Sequence, residues 1–260
     1  MRRALRAVRR LIAGAALLTV LAGCAGPEAP PAVPSPAPPT AQPARPDPRI
    51  GALFIGDDVH VCTGAVLAAS ADVILTAAHC VAEGVDTTFV PGYTEEEDAG
   101  DAGRWRVDAV YLDPRWVTDQ DPAADFAVVR VSRDDGARLD TVVGSGFRLG
   151  TAPGPGREFT VTGYPAGVGG GPVACAAATA GAREGFPELQ CDGVVAGFSG
   201  APWVSGSTVS GLVGGLDGGG CVEETSYSPP FGAALDLLLS RAEAGGPGDT
   251  PPDSFDDGCN

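Results

Sequence analysis

The apolar residues of this chain come in short runs, each closed by glycine, proline or polar turn residues. Ala52-Leu53-Phe54-Ile55, Gly64-Ala65-Val66-Leu67, Val73-Ile74-Leu75 and Arg106-Val107-Asp108-Ala109-Val110 come first. Phe126-Ala127-Val128-Val129-Arg130-Val131, Phe159-Thr160-Val161-Thr162 and Thr208-Val209-Ser210-Gly211-Leu212-Val213 follow. Such runs, rich in β-branched residues, suit half-buried strands. Helical spacing emerges only from Gly232 to Ala244, where Leu235, Leu238 and Leu239 share one face. The pattern predicts an all-β fold closed by one C-terminal helix. With 260 residues and 44% hydrophobic content, the chain can bury a proper core. Its 38 glycines and 24 prolines favour many turns and some low-complexity sequence.

The two ends read differently from the middle. Residues 1–23 have the order of a signal peptide, with Arg2, Arg3, Arg6, Arg9 and Arg10 ahead of an apolar Leu11 to Leu21. That apolar stretch is too short for a stable membrane anchor. Leu21-Ala22-Gly23-Cys24 resembles the lipobox of bacterial lipoproteins, which implies lipidation of Cys24 as the first mature residue. Residues 24–49 then form a Pro/Ala-rich linker, because proline disfavours ladders and prefers extended backbone. Residues 245–260 are expected to be a disordered tail, pinned at most through Cys259. Without its first 23 residues the chain keeps 12 arginines against 33 acids, a net of about −21. A charge of that sign excludes nucleic acid and anionic lipid heads as partners, leaving the lipid anchor as the membrane contact.

Seven cysteines is an odd number for an exported chain. Lipid on Cys24 leaves an even set: Cys62, Cys80, Cys175, Cys191, Cys221 and Cys259. The sequence has no CxxC pair and no Cys/His cluster at metal spacing, and its two histidines are His60 and His79. No metal or other cofactor is expected.

Acyl transfer by a serine needs a base, a carboxylate that orients the base, and donors for the oxyanion. The candidate base is His79 in Leu75-Thr76-Ala77-Ala78-His79-Cys80. The candidate acid is Asp125, opening an apolar strand, with Asp119 and Asp121 as nearby alternatives that lack such a strand. The candidate nucleophile is Ser199 in Gly197-Phe198-Ser199-Gly200-Ala201-Pro202, where glycines permit a tight turn. The amides of Gly197 and Ser199 are then the candidate oxyanion hole.

The Thr-Ala-Ala-His-Cys run, with Cys62-Thr63-Gly64 ahead of it, resembles the chymotrypsin/trypsin-like serine proteases. The order His, Asp, Ser also separates the chain from the α/β-hydrolases. The resemblance covers roughly residues 50–244 and implies two six-stranded antiparallel β-barrels, about 50–145 and 146–231, with the helix at about 232–244. It further implies a serine endopeptidase acting on protein or peptide substrate as a monomer. The enzyme would sit at the outer face of the bacterial cell membrane, or be released from it. A catalytically idle binding domain and an esterase on the same fold are the alternatives.

Three departures qualify the match. Phe198 stands where digestive members carry an aspartate that receives a freed N-terminus, so Arg49-Ile50 is not expected to be an activation switch. Ala201 replaces the usual glycine. The specificity pocket falls on Asp192 or Gly193 and on Gly214, Gly215 and Leu216, with no bulky aromatic, favouring an apolar or small side chain beside the cleaved bond. The resemblance pairs Cys62 with Cys80. Its actinobacterial branch suggests Cys175–Cys191 and hence Cys221–Cys259, while the digestive pattern would join Cys191 to Cys221.

A base must be neutral to accept a proton, so activity is expected to fall on acidification as the imidazole protonates. A rate that stayed flat from about pH 4 to about pH 9 would remove His79 from that role.

Overall fold

The computed structural model describes residues 37–95 and 103–254. The expected signal peptide, Cys24, the first part of the linker and Cys259 lie outside the described residues.

Strand β1 (Gln42–Pro43) precedes six strands that close on themselves: β2 (Ile50–Ile55), β3 (Val59–Val66), β4 (Val73–Thr76), β5 (Thr87–Pro91), β6 (Trp105–Leu112) and β7 (Ala127–Ser132). They pair in the order β2-β3-β4-β7-β6-β5, and the barrel closes. Closure leaves no free edge, and it explains why β2 and β4 are apolar along their length rather than alternating. Leu53, Phe54, Ile74, Leu75, Phe89, Trp105 and Val129 are buried in its core.

Between β6 and β7 runs the short helix α1 (Pro114–Asp119), and after β7 comes α2 (Leu139–Val143). The second half contributes β8 (Arg148–Leu149), β9 (Glu158–Gly163), β10 (Val173–Arg183), β11 (Phe186–Gln190), β12 (Pro202–Ser205), β13 (Thr208–Leu212) and β14 (Thr225–Tyr227). Here the expected second six-stranded barrel takes the form of an eight-stranded sheet, ordered β14-β11-β10-β9-β12-β13-β8, with β1 added on β10. The long β10 pairs with β9 from Val173 to Ala178 and with β11 from Thr179 onward, the latter pairing carrying an irregularity between Thr179 and Gly181. One strand thus serves two neighbours, as bulges allow. Along β9, Phe159 and Val161 turn inward while Glu158 and Thr160 stay exposed. Phe159, Val161, Leu189, Phe198 and Trp203 form this half's own core.

Among the described residues, one disulfide ties each half internally. Cys62 joins Cys80, and Cys175 joins Cys191, with Cα separations of 6.1 and 6.5 Å. The second bond settles the open pairing, since Cys191 is not available to Cys221.

Two segments depart from the sequence reading. The distal part of the expected linker is a strand: Gln42 and Pro43 face Ala174 and Val173. Ala41 donates to the Asp192 carbonyl, Ala44 to that of Pro172, and Asp192 back to that of Pro39, at 2.8 to 2.9 Å. Proline is tolerated because an edge strand needs donors at only some positions, and alanines hold those positions.

The expected disordered tail is also docked, at least to residue 254. Helix α3 (Ala233–Glu243) buries Leu235, Leu238 and Ala242 and returns to β6 and β7 of the barrel. Beyond it, Tyr111 donates to the Gly246 carbonyl at 2.7 Å, and Gln120 to that of Ser254 at 2.7 Å. Asp249 is the anchor: its amide donates to the Val110 carbonyl at 2.7 Å, and its carboxylate accepts from the Leu112 amide at 2.8 Å and from Arg241 at 2.8 Å. Polar sequence hid this docking, because Asp249 is fastened to the backbone of Val110 and Leu112 on β6 and the other bonds come from distant side chains.

Burial alone would raise the Asp249 carboxyl, but the Arg241 guanidinium and the Leu112 amide outweigh it and hold the group below the ordinary 3.8. Such a group stabilises the folded chain above that ordinary value, and the contribution is lost as pH falls through the lowered one. Asp249→Asn is expected to cost about 1 kcal/mol at neutral pH, after discounting for partial exposure. Denaturant melts at neutral pH and near pH 3 check it, since the gap between the two chains should narrow on acidification.

Candidate active site

His79 sits in a single 3-10 turn, Ala78–Cys80, directly after β4. Cys80 is bonded to Cys62 of β3, so the turn is fastened to the neighbouring strand. Asp125 follows a second 3-10 turn, Pro122–Ala124, and leads into β7. Its carboxylate is fully buried. Oδ1 accepts from the His79 amide at 3.0 Å; Oδ2 accepts from His79 Nδ1 at 2.8 Å and from the Gly215 amide at 2.8 Å. A buried acceptor holds the imidazole proton on Nδ1, which makes Nε2 the basic nitrogen. Low local dielectric strengthens all three bonds.

The alternative acids do other work. Asp121 accepts from the Ala123 amide at 2.9 Å and caps the turn ahead of Asp125. Asp119 is exposed at the end of α1.

Ser199 and His79 line the same cleft, of about 750 Å³. The Ser199 turn is fixed on both sides: Thr63 donates to the Ser199 carbonyl at 2.8 Å, and Gly200 to that of Val213 at 2.7 Å. Among the described residues, nothing accepts from the amides of Gly197 or Ser199. Both are therefore available as donors. Gly200 admits no side chain, since a Cβ there would lie 2.2 Å from the Thr63 carbonyl oxygen and 2.3 Å from Thr76 Oγ1.

The expected specificity residues lie next to residues that line this cleft. Asp192 and Gly193 lie under β1, where Asp192 is paired through its backbone and a side chain at Gly193 would face Ala41 at 3.4 Å. Gly214 donates to the Tyr227 carbonyl and Gly215 to Asp125, and neither lines the cleft, nor does Leu216. Their neighbours do instead: Val194, Val195, Val213, Gly219 and Ser226. Residue order leaves the register across Cys191 open, and the residues ahead of β1 bond to Asp192. Across the cleft stand Ile55, Val61 and Val85 from the barrel side.

Cys62, His79 and Cys80 also place potential metal ligands within 4.8 Å of one another. Two of them are the sulfurs of a disulfide, and a disulfide supplies no thiolate to a cation.

The model of the trypsin-like peptidase domain family matches residues 62–214, more than half of the chain. The chain belongs to this family. No curated protein matches it. Among solved structures, the protease Anisep from Arthrobacter nicotinovorans is similar at 26% identity and a TM-score of 0.67, covering 79% of this chain and 100% of its own. A thermostable serine protease, AL20, from an extremophilic microorganism shares the fold at 20% identity and 0.64, covering 77% and 99%. A Glu endopeptidase does so at 16% and 0.59, covering 79% and 97%. This trypsin-like peptidase therefore has the chymotrypsin-like fold, in the form of a closed barrel beside a second sheet.

In this peptidase Gly200→Ala is expected to lower stability by about 3 kcal/mol, through overpacking and a left-handed φ of +81°. Thermal unfolding of the variant beside wild type measures it.

Proposed function

We propose that this trypsin-like peptidase is a serine endopeptidase working through an acyl-enzyme. Ser199 Oγ attacks the scissile carbonyl while His79 Nε2 takes its proton. Asp125 holds the imidazole and offsets its charge. The Gly197 and Ser199 amides stabilise the oxyanion. His79 then passes the proton to the leaving amine, and water repeats the sequence to free the acid. The observation that carries this reading is the buried Asp125–His79 pair opening onto the same cleft as Ser199. Both sheets line the cleft, which gives a peptide room on either side of the cut.

The site is read as preformed. Phe198 is fully buried, and its ring lies so close to the backbone of Gly163 that a Cβ there would fall 2.5 Å from it. The slot behind the nucleophile is thus filled by an apolar ring, and Ile50 is buried at the start of β2 with its amide bonded to the Asp47 carbonyl. No freed N-terminus is needed.

Substrates carry an apolar or small residue beside the cleaved bond. Val194 and Val213 are buried in the cleft wall, and among the described lining residues the one basic side chain is His79 itself. A carboxylate entering there would lose hydration without a cation to meet it. Lipid on Cys24 holds the enzyme at the outer face of the cell membrane.

A fluorophosphonate probe on the oxidised, folded chain is expected to label wild type and not Ser199→Ala, whose kcat should fall by about 10⁴–10⁶. Peptide-library cleavage should favour neutral aliphatic or small residues. Absence of labelling would favour a binding role, and turnover of esters without amides would favour an esterase.

A further inference from the structure

Thr63 lies on β3, in the first barrel, yet four of its bonds reach elements that build the proposed reaction centre. Its amide donates to the Ser199 carbonyl at 2.8 Å. Its hydroxyl donates to the Gly197 carbonyl at 2.9 Å and accepts from the Tyr164 amide at 3.0 Å. Its own carbonyl accepts from Thr76 Oγ1 at 2.8 Å, three residues before His79. Thr63, Thr76 and Tyr164 are all fully buried.

These bonds grip the nucleophile turn at its two ends. Gly197 and Ser199 are the residues whose amides are left without an acceptor among the described residues, and Thr63 holds the carbonyl of each. Fixing both carbonyls restrains rotation of the intervening peptide planes. With Ala166 donating to the Ala196 carbonyl at 2.8 Å, the approach to Gly197 is fixed as well. The β-branched side chain has few χ1 states, so the hydroxyl is presented in one direction at little entropic cost. Because the whole arrangement is buried, the bond is strong and its loss leaves two orphaned backbone groups.

We propose that Thr63 is a positioning residue that sets the oxyanion hole, its hydroxyl locking the Gly197 carbonyl so that the Gly197 and Ser199 amides converge on one point. The proposal rests on the reading of Ser199 as nucleophile. Thr63 touches no reacting atom; it acts through the turn. A serine at this position keeps the hydroxyl, whereas valine keeps the shape and discards both side-chain bonds.

The test compares Thr63→Val and Thr63→Ser with wild type, all counted by active-site titration so that misfolded chains do not enter the rate. Thr63→Val is expected to lose roughly 10- to 100-fold in kcat with KM within about threefold, less than the loss of a whole oxyanion donor. Its affinity for a peptide boronic acid, which places a charged tetrahedral centre in the hole, should fall by a similar factor. Thr63→Ser should stay within about threefold of wild type in both. A purely structural role would lower the melting temperature of Thr63→Val while leaving kcat per titrated site unchanged, and that result overturns the proposal. Equal impairment of Thr63→Ser and Thr63→Val also overturns it. Should Thr63→Val fail to fold, Thr63→Ala carries the same comparison. Wild type that neither labels nor turns over would defeat the functional reading itself, and this proposal with it.

Discussion

A carboxylate with no exposure to water, such as Asp125, survives only where donors surround it. Asp125 takes two from His79 and a third from Gly215. The first two belong to the barrel, the third to the loop following β13 of the second sheet. The same three bonds therefore orient the imidazole and hold the sheets in register across the cleft. If the sheets slid apart, Asp125 would keep its two bonds from His79 and lose the one from Gly215, leaving a buried carboxylate short of a donor. Function and packing are coupled at this residue.

A second seam runs beside it. Thr63 carries bonds from β3 to the nucleophile turn, and Gly200 lets the turn approach the β3 backbone. The Cys62–Cys80 disulfide fastens the neighbouring residue of β3 to the histidine turn. The turns carrying His79 and Ser199 thus hang from the same short piece of strand, though 120 positions separate the two residues in the chain. Convergence of groups distant in sequence depends on such cross-strand anchors, because a displacement of an ångström is enough to impair proton transfer.

The chain's ends serve the catalytic unit more than their composition implies. Residues 37–49 read as spacer, yet they extend the second sheet and cover Asp192 and Gly193. Residues 245–254 read as a tail, yet Asp249 fastens them to the barrel. The first segment is held through backbone pairs, and the second through bonds that each use at least one backbone group apart from the Arg241–Asp249 pair. Backbone bonding leaves little trace in residue type, so neither proline content nor polarity revealed it. The cleft wall after Cys191 is made by Val194 and Val195, immediately beyond Asp192 and Gly193.

Taken alone, the residue order determined the class of fold, while the resemblance carried by its motifs nominated His79, Asp125 and Ser199 and implied the Cys62–Cys80 bond. Local pattern suffices for these, since strand periodicity and the His-Cys and Gly-Phe-Ser-Gly runs are written in contiguous residues. Tertiary structure alone decided the pairing of Cys191, the eight-stranded second sheet, the docked ends, the cleft wall and the bonds made by Thr63. Each of these depends on which distant backbone groups meet, and short-range pattern carries no record of that distance.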